Sequence, residues 1–490
     1  METKPNPIVT LQIATSLSDV TRKGGKRFVD FTVLQLNDVY EAAPVEGGRL
    51  GGLARVATLR RKLEKENPNL ITLMVGDFLA PSAIGATTGD SGQHMIEALN
   101  AMGLTHATVG NHEFDIPEAD LIERIAESKF KWVVSNVFNG KGEPFPSTIK
   151  NDIIEYSNEH GAKARVALIG VCLDMVKKPW LKYQDPIECA RQQATELDSK
   201  ADVILAMTHL TIDQDKRLGA EVARIDVLFG GHEHEAATAI VGDDATPIFK
   251  ADSNARSVCI HRFRYDTKLR VAKLFTQLVP INDSFEEEPE TAQIVKKWET
   301  ITYDTLRAQG TDPAEVVGFT KEALNGYEAA VRNYPTNLTK LIVETFLQEV
   351  PSADAVIFPS GMIRIDGTIP PGDITYFDVV RIFPLGGKLS VLTIPGHLVK
   401  MLLAMGDKAK GTGSFQTHTN ISYDPSGIWM IKGEPIVDDR VYKIICQETP
   451  NAAFSYPPYK GSGISKCFDT RDIRAILTDR LRRDRISSAT

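Results

Sequence analysis

The chain has 490 residues, too many for one ordinary core, so two or three domains are expected. Apolar residues make up 42% and charged residues 24%, the balance of a globular protein; a formal charge of -8 with no dense basic stripe excludes extended nucleic acid as a partner. No apolar run approaches the roughly 18 residues that a membrane helix needs, so no membrane partner is expected.

Residues 1–29 read as a weakly structured extension. They carry no compact apolar segment followed by a small-residue cleavage site, which predicts a cytoplasmic protein, or a periplasmic one if the N-terminus was trimmed. The five cysteines, Cys172, Cys189, Cys259, Cys446 and Cys467, are odd in number and unpaired in spacing, as expected of reduced thiols. Strand-like pattern begins at Phe31 with FTVLQL and stops at Asn37 and Asp38. A helix is predicted from Leu53 to Glu66, with Leu53, Val56, Ala57 and Leu59 on its apolar face. The strand LITLMV follows and stops at Gly76 and Asp77. A helix from Gln93 to Met102 leads to the strand HATV, which ends at Gly110 and Asn111. The same order recurs three times: Arg165 to Val171; Asp202 to Met207, ending at Thr208 and His209; Asp226 to Phe229, ending at Gly230, Gly231 and His232.

Beyond Ile281 the chain turns charged and helical as far as Tyr327, as a connector would. A second unit then offers a helix from Asn337 to Gln348 and strands at Ala355 to Phe358, Leu389 to Ile394 and Val441 to Ile445. The basic cluster Arg480, Arg482, Arg483 and Arg485 reads as a charged terminal helix. Strand–polar loop–helix units predict an α/β sandwich.

Nearly every early strand delivers an Asp, Asn or His directly after its apolar run, where α/β proteins place their chemistry. The inventory is Asp38, Asp77, Asn111, His112, His209, His232 and His234. Two carboxylates, an amide and four imidazoles suit divalent Mn, Zn, Mg, Co or Fe, and not soft copper. Taken singly, an aspartate after a strand is most simply a helix cap, and His232 with His234 a surface pair. Taken together, the GD, GNHEFD and GHEH runs point to a metal centre.

These motifs, with LQLNDVYE, GGLARVATL, VGDFLAPS, MTHL and GGHEHE, and with PTNLTKLI, SGMIR and GDITYFDVVRIFPLGGKL further on, resemble the calcineurin-like metallophosphoesterases. More narrowly, the chain resembles the bacterial 5'-nucleotidase and 2',3'-cyclic phosphodiesterase family. That resemblance implies a four-layer metallophosphoesterase sandwich over residues 30–285, a helical linker over 286–326, and a smaller α/β (α+β) substrate-binding domain of 5'-nucleotidase type over 327–490. It implies two divalent ions bridged by Asp77, one held also by Asp38 and His234, the other by Asn111, His209 and His232. His112 would face the substrate with Asp115 behind its other ring nitrogen. Arg332 and Arg364 would grip phosphate, and Phe415 would stack on a base.

Two departures stand out. The family's Asp-x-His after the first strand is here Asp38, Val39 and Tyr40, and a neutral phenol is a poorer ligand than an imidazole. The first ion would then lose a protein ligand and recruit water, bind weakly, or be a harder ion such as Mn or Mg; direct tyrosinate ligation and loss of that ion are alternatives. In the second domain the usual asparagine position is Pro359, and Phe454, Tyr456 or Tyr459 stand where another stacking ring is expected. The expected function is a phosphomonoesterase for nucleoside monophosphates or similar small esters. The alternatives are a cyclic-nucleotide phosphodiesterase or non-nucleotide phosphatase, and a catalytically weak binding protein of the same fold.

Overall fold

Apolar residues fill both faces of the central strands, so each must be covered twice, by a second sheet and by helices. The computed structural model describes residues 25–448 and 462–489, with residues 12, 13, 17 and 20. Phe454, Tyr456 and Tyr459 lie outside the described residues. The chain divides into two compact units, residues 1–302 and 303–490.

The first unit contains an eight-stranded and a six-stranded sheet. In the larger, Phe28–Leu36 runs parallel to Leu70–Val75, which runs parallel to His106–Thr108. In the smaller, Val203–His209 lies between Lys163–Cys172 and Val227–Gly230, all parallel, and Thr246–Lys250 follows beside Val227–Gly230. Alternation divides the side chains by face. Val29, Phe31, Val33, Leu73 and Val75 of one sheet meet Val166, Leu168, Leu205, Met207 and Phe229 of the other in a core between the sheets. The intervening residues, such as Leu34, Leu36 and Met74, or Ile204, Ala206 and Leu228, join the outer core, which includes Leu53, Val56 and Leu99 of covering helices. The result is a mixed α/β sandwich of four layers. Aromatic packing fixes its middle: Phe31 lies between the rings of Tyr156 and Phe263, at centroid distances of 5.5 and 4.5 Å.

The first strand begins at Phe28, not Phe31, and the predicted HATV strand stops at Thr108. Within the stretch read as a weak extension, Gln12–Ile13 pairs in parallel with Lys273 and Leu274, adding an edge to the eight-stranded sheet. The connector contains the 20-residue helix Pro289–Ala308.

The second unit is a smaller α/β domain on a five-stranded sheet. Val356 and Phe358 pack with the helices Asn337–Glu349 and Ile473–Ala489, while Ala355 and Ile357 pack on the other face with Val399 and Leu403 of Gly396–Lys408. Among the described residues no helix is long and apolar enough to cross a membrane.

Candidate metal centre

The parallel strands of the first unit place Asp38, Asp77, His209 and His232 at their carboxyl ends. Three of these depart from the usual backbone: Asp38, Asp77 and His232 have φ of 53°, 58° and 81°. Positive φ in a non-glycine residue costs on the order of 1 kcal/mol or more, and it clusters where a side chain must be aimed. Crowding explains the glycines beside them. A Cβ at Gly231 would stand 2.9 Å from His209 Nδ1 and 3.1 Å from Asp38 Oδ2, and one at Gly110 would collide with Asp77 Oδ1.

Asp77, His209 and His232 bring their ligand atoms within 4.8 Å of one another. His209 Nδ1 lies 2.9 Å from the Val75 carbonyl, to which it donates. That bond fixes the ring with Nε2 facing inward, where a divalent ion could displace its proton and take the lone pair. Nε2 is 3.1 Å from Asp77 Oδ2, yet makes no hydrogen bond. Asn111 is buried as well, and its Oδ1 also has no hydrogen-bond partner. Two buried polar atoms without a hydrogen bond are costly in themselves and fit the coordination shell of a divalent ion.

Electrostatics agree. Burial lowers the proton affinity of His209, but the Asp77 and Asp38 carboxylates outweigh it and raise its pKa to about 10. Asp77, despite the opposing effect of burial, is held well below the usual carboxylate range by His209 and His112. Asp38 is pushed up by burial, against the attraction of His209 and His234. Burial and the neighbouring His209 charge keep His232 neutral, as a ligand should be. The pocket thus demands positive charge, which a divalent ion supplies.

Asp38 and His234 lie to one side. His234 Nε2 is 3.7 Å from Asp38 Oδ1, and both Asp38 oxygens accept from His232 N–H. Tyr40 is buried, and its hydroxyl points into this side of the pocket. It donates to Asp77 Oδ2 at 3.0 Å and lies 3.2 Å from His234 Nε2. The phenol therefore stands among the proposed ligands of the first ion.

His112 is oriented differently. Its backbone N–H donates to Asp77 Oδ1 at 2.7 Å, while its ring is partly exposed and Nδ1 meets Asp115 Oδ2 at 2.5 Å. A carboxylate behind one nitrogen fixes the direction of the ring.

In the second unit Arg332 and Arg364 converge on one carboxylate. Glu328 Oε2 is 2.5 Å from Arg332 Nη2 and 3.8 Å from Arg364 Nη1. Phe415 is only 6% exposed, which leaves its ring little surface for stacking.

The sequence matches the calcineurin-like phosphoesterase family over residues 31–236 and the 5'-nucleotidase C-terminal domain over residues 316–450. The chain is a calcineurin-like metallophosphoesterase domain followed by a 5'-nucleotidase C-terminal domain. It is similar to the trifunctional nucleotide phosphoesterase protein YfkN of Bacillus subtilis, 25% identical over 440 residues, 80% of this chain but 29% of that protein. Protein UshA of Yersinia enterocolitica is 24% identical over 474 residues, 85% of this chain and 84% of its own. The solved 5'-nucleotidase precursor from Thermus thermophilus has the same fold, with a TM-score of 0.76 at 20% identity over 93% of this chain and 97% of that one.

This phosphoesterase is a metal-dependent hydrolase related to 5'-nucleotidases. Among the residues that escaped the sequence reading are Glu113 and Glu328. Glu113, inside GNHEFD, is fully buried and accepts four backbone N–H groups: Asp77 and Gly110 on Oε2, Phe78 and Leu79 on Oε1. It ties the Asp77 loop to the Asn111 loop. Its only sequence signal is a charge directly after the proposed ligand and its neighbour. Glu328 had no signal, because its meaning depends on two arginines distant in sequence.

Proposed function

We propose that this enzyme is a phosphomonoesterase of 5'-nucleotidase type, hydrolysing nucleoside monophosphates or similar small phosphate esters. The observation that carries the reading is the Asp77, His209 and His232 cluster with two buried ligand-type atoms that lack hydrogen bonds, His209 Nε2 and Asn111 Oδ1, and with His112 beside Asn111 in sequence and oriented by Asp115. Asp77, Asn111, His209 and His232 would hold one divalent ion; Asp38, His234 and Asp77 would hold a second, with Tyr40 among them. Bound there, such ions supply Lewis acidity that activates water and neutralises phosphoryl charge. His112, oriented by Asp115, acts as the general acid that gives a proton to the leaving ester oxygen, a contribution of about 10²–10⁴-fold. Arg332 and Arg364 can exchange the Glu328 carboxylate for phosphate oxygens, since guanidinium recognises either in the same planar way. Phe415, packed as it is, contributes less to base recognition than its sequence position implies.

A second reading, a phosphodiesterase, draws on YfkN, whose name records more than one nucleotide phosphoester activity. Hydrolysis of nucleoside monophosphates, a cyclic nucleotide and a generic aryl phosphate, with nucleoside, nucleotide and phosphate products resolved by chromatography, separates the two, with parent and Arg364→Ala run in parallel. The monoesterase reading expects monophosphates to be preferred and Arg364→Ala to raise KM for them selectively. Preferential cleavage of the cyclic diester would contradict it.

A further inference from the structure

The strand Thr246–Lys250 ends in a lysine that is only 1% exposed. Its ammonium donates to Leu210 O at 2.8 Å and to Gly231 O at 2.7 Å. It also pairs with Asp215 Oδ2 at 2.8 Å and with the carboxylate of Glu233. Leu210 directly follows His209, and Gly231 directly precedes His232. One cation therefore grips the peptides adjoining two of the three clustered ligands. Glu233 sits between His232 and His234, and its Oε1 accepts from Ile212 N–H at 2.6 Å. That contact binds the GHEH loop to the start of the helix Ile212–Glu221, which carries Asp215.

The path of this side chain is built into the strand beside it. Lys250 is in register with Gly230. A Cβ at Gly230 would stand 2.7 Å from Lys250 Cε and 3.1 Å from Asp215 Oδ2. Gly230 is not among the residues with positive φ, so the lysine's passage, not the backbone, calls for glycine there. Burying an ammonium is expensive unless its hydrogen bonds are met. Here they are met by the Leu210 and Gly231 carbonyls, each in a residue next to a clustered histidine, so the contacts that satisfy the cation also tie it to both loops.

We propose that Lys250 is a positioning residue for the metal centre, holding the His209 and His232 loops at the spacing an ion requires. It acts through Leu210, Gly231 and Glu233 and touches neither ion nor substrate. This rests on the metal reading of the Asp77, Asn111, His209 and His232 set.

Two variants of the full chain test it independently. Lys250→Met with Asp215→Asn removes the charge together with its buried counter-charge, and Gly230→Ala obstructs the path while keeping the lysine. Mn²⁺ affinity is measured by equilibrium dialysis, and melting of the metal-free protein by circular dichroism. The expected result is Mn²⁺ binding weakened about 10–100-fold in both variants, the range for outer partners of metal ligands. The melting temperature of the metal-free double variant should stay near the parent's. Unchanged Mn²⁺ affinity in either folded variant, whatever its melting temperature, overturns the positioning role. A parent chain that binds no Mn²⁺ or Zn²⁺ overturns instead the metal reading beneath it, and the proposal with it.

Discussion

Replacing Glu113 with Gln exchanges one carboxylate oxygen for an amide nitrogen at almost constant shape. In the parent, Oε1 accepts from Phe78 N–H at 2.7 Å and Leu79 N–H at 3.1 Å, and Oε2 from Asp77 N–H at 2.7 Å and Gly110 N–H at 2.5 Å. Whichever way the amide turns, its NH₂ faces two backbone donors and leaves both unpaired. Each orphaned buried N–H costs about 1–3 kcal/mol, so the loss is about 2–6 kcal/mol. One effect opposes it. Burial, reinforced by the Asp77 charge, raises the Glu113 pKa from 4.5 to about 6. At neutral pH the ionised parent therefore carries a penalty of about 2 kcal/mol that the amide escapes. The net cost of up to about 4 kcal/mol falls on the contact between the Asp77 loop and the Asn111 loop, so metal binding should suffer along with stability. We expect Glu113→Gln to weaken Mn²⁺ binding about 10–100-fold, measured by titrating metal-free protein, with urea unfolding run alongside. Mn²⁺ affinity and turnover equal to the parent's would mean that the carboxylate does not set the spacing of those two loops.

His112→Ala should keep its metal content and lose about 10²–10⁴ in turnover, since the ring pairs with Asp115 and is not among the clustered ligand residues; loss of metal together with activity would refute that separation. Tyr40→His should tighten one class of metal site in a Mn²⁺ or Zn²⁺ isotherm, because an imidazole donates without first losing a proton, and an unchanged isotherm would contradict this. His261 is fully buried between Gln35 and Thr276, and burial lowers its pKa from 6.5 to about 3. The native state stays neutral there while the unfolded chain protonates, so stability is present above pH 6.5 and lost as pH falls towards 3. The loss between pH 7 and 5 should be about 2 kcal/mol, and His261→Gln should flatten that slope in urea titrations at the two pH values.

Much of the candidate site could be read before folding, because its candidate ligands follow local grammar. An apolar run that ends in Gly-Asp, Gly-Asn-His or Gly-Gly-His announces a strand and the loop beyond it, and parallel neighbours carry those loop residues to the same edge. The glycines were legible as turn formers, but their second role, yielding space to His209 and Asp77, needed coordinates. Strand ends shifted where pairing partners decided them: His209 itself closes a strand because it pairs with Cys172. Glu113, Lys250 and Glu328 were not legible. Each is a charge whose partners lie on other elements, and sequence spacing carries no record of such meetings. Phe415 shows the converse, since an aromatic in a suggestive position was spent on packing.

The most direct measurement is phosphate release from a nucleoside monophosphate by chelator-treated protein, before and after Mn²⁺ or Zn²⁺ is returned, with bound metal counted in the same samples. A metal-dependent phosphomonoesterase built on Asp77, Asn111, His209 and His232 loses its activity on chelation, regains it as ions bind, and does neither when His209 and His232 are both replaced by Ala. Hydrolysis that persists without metal, or metal binding that survives loss of both histidines, would contradict the account.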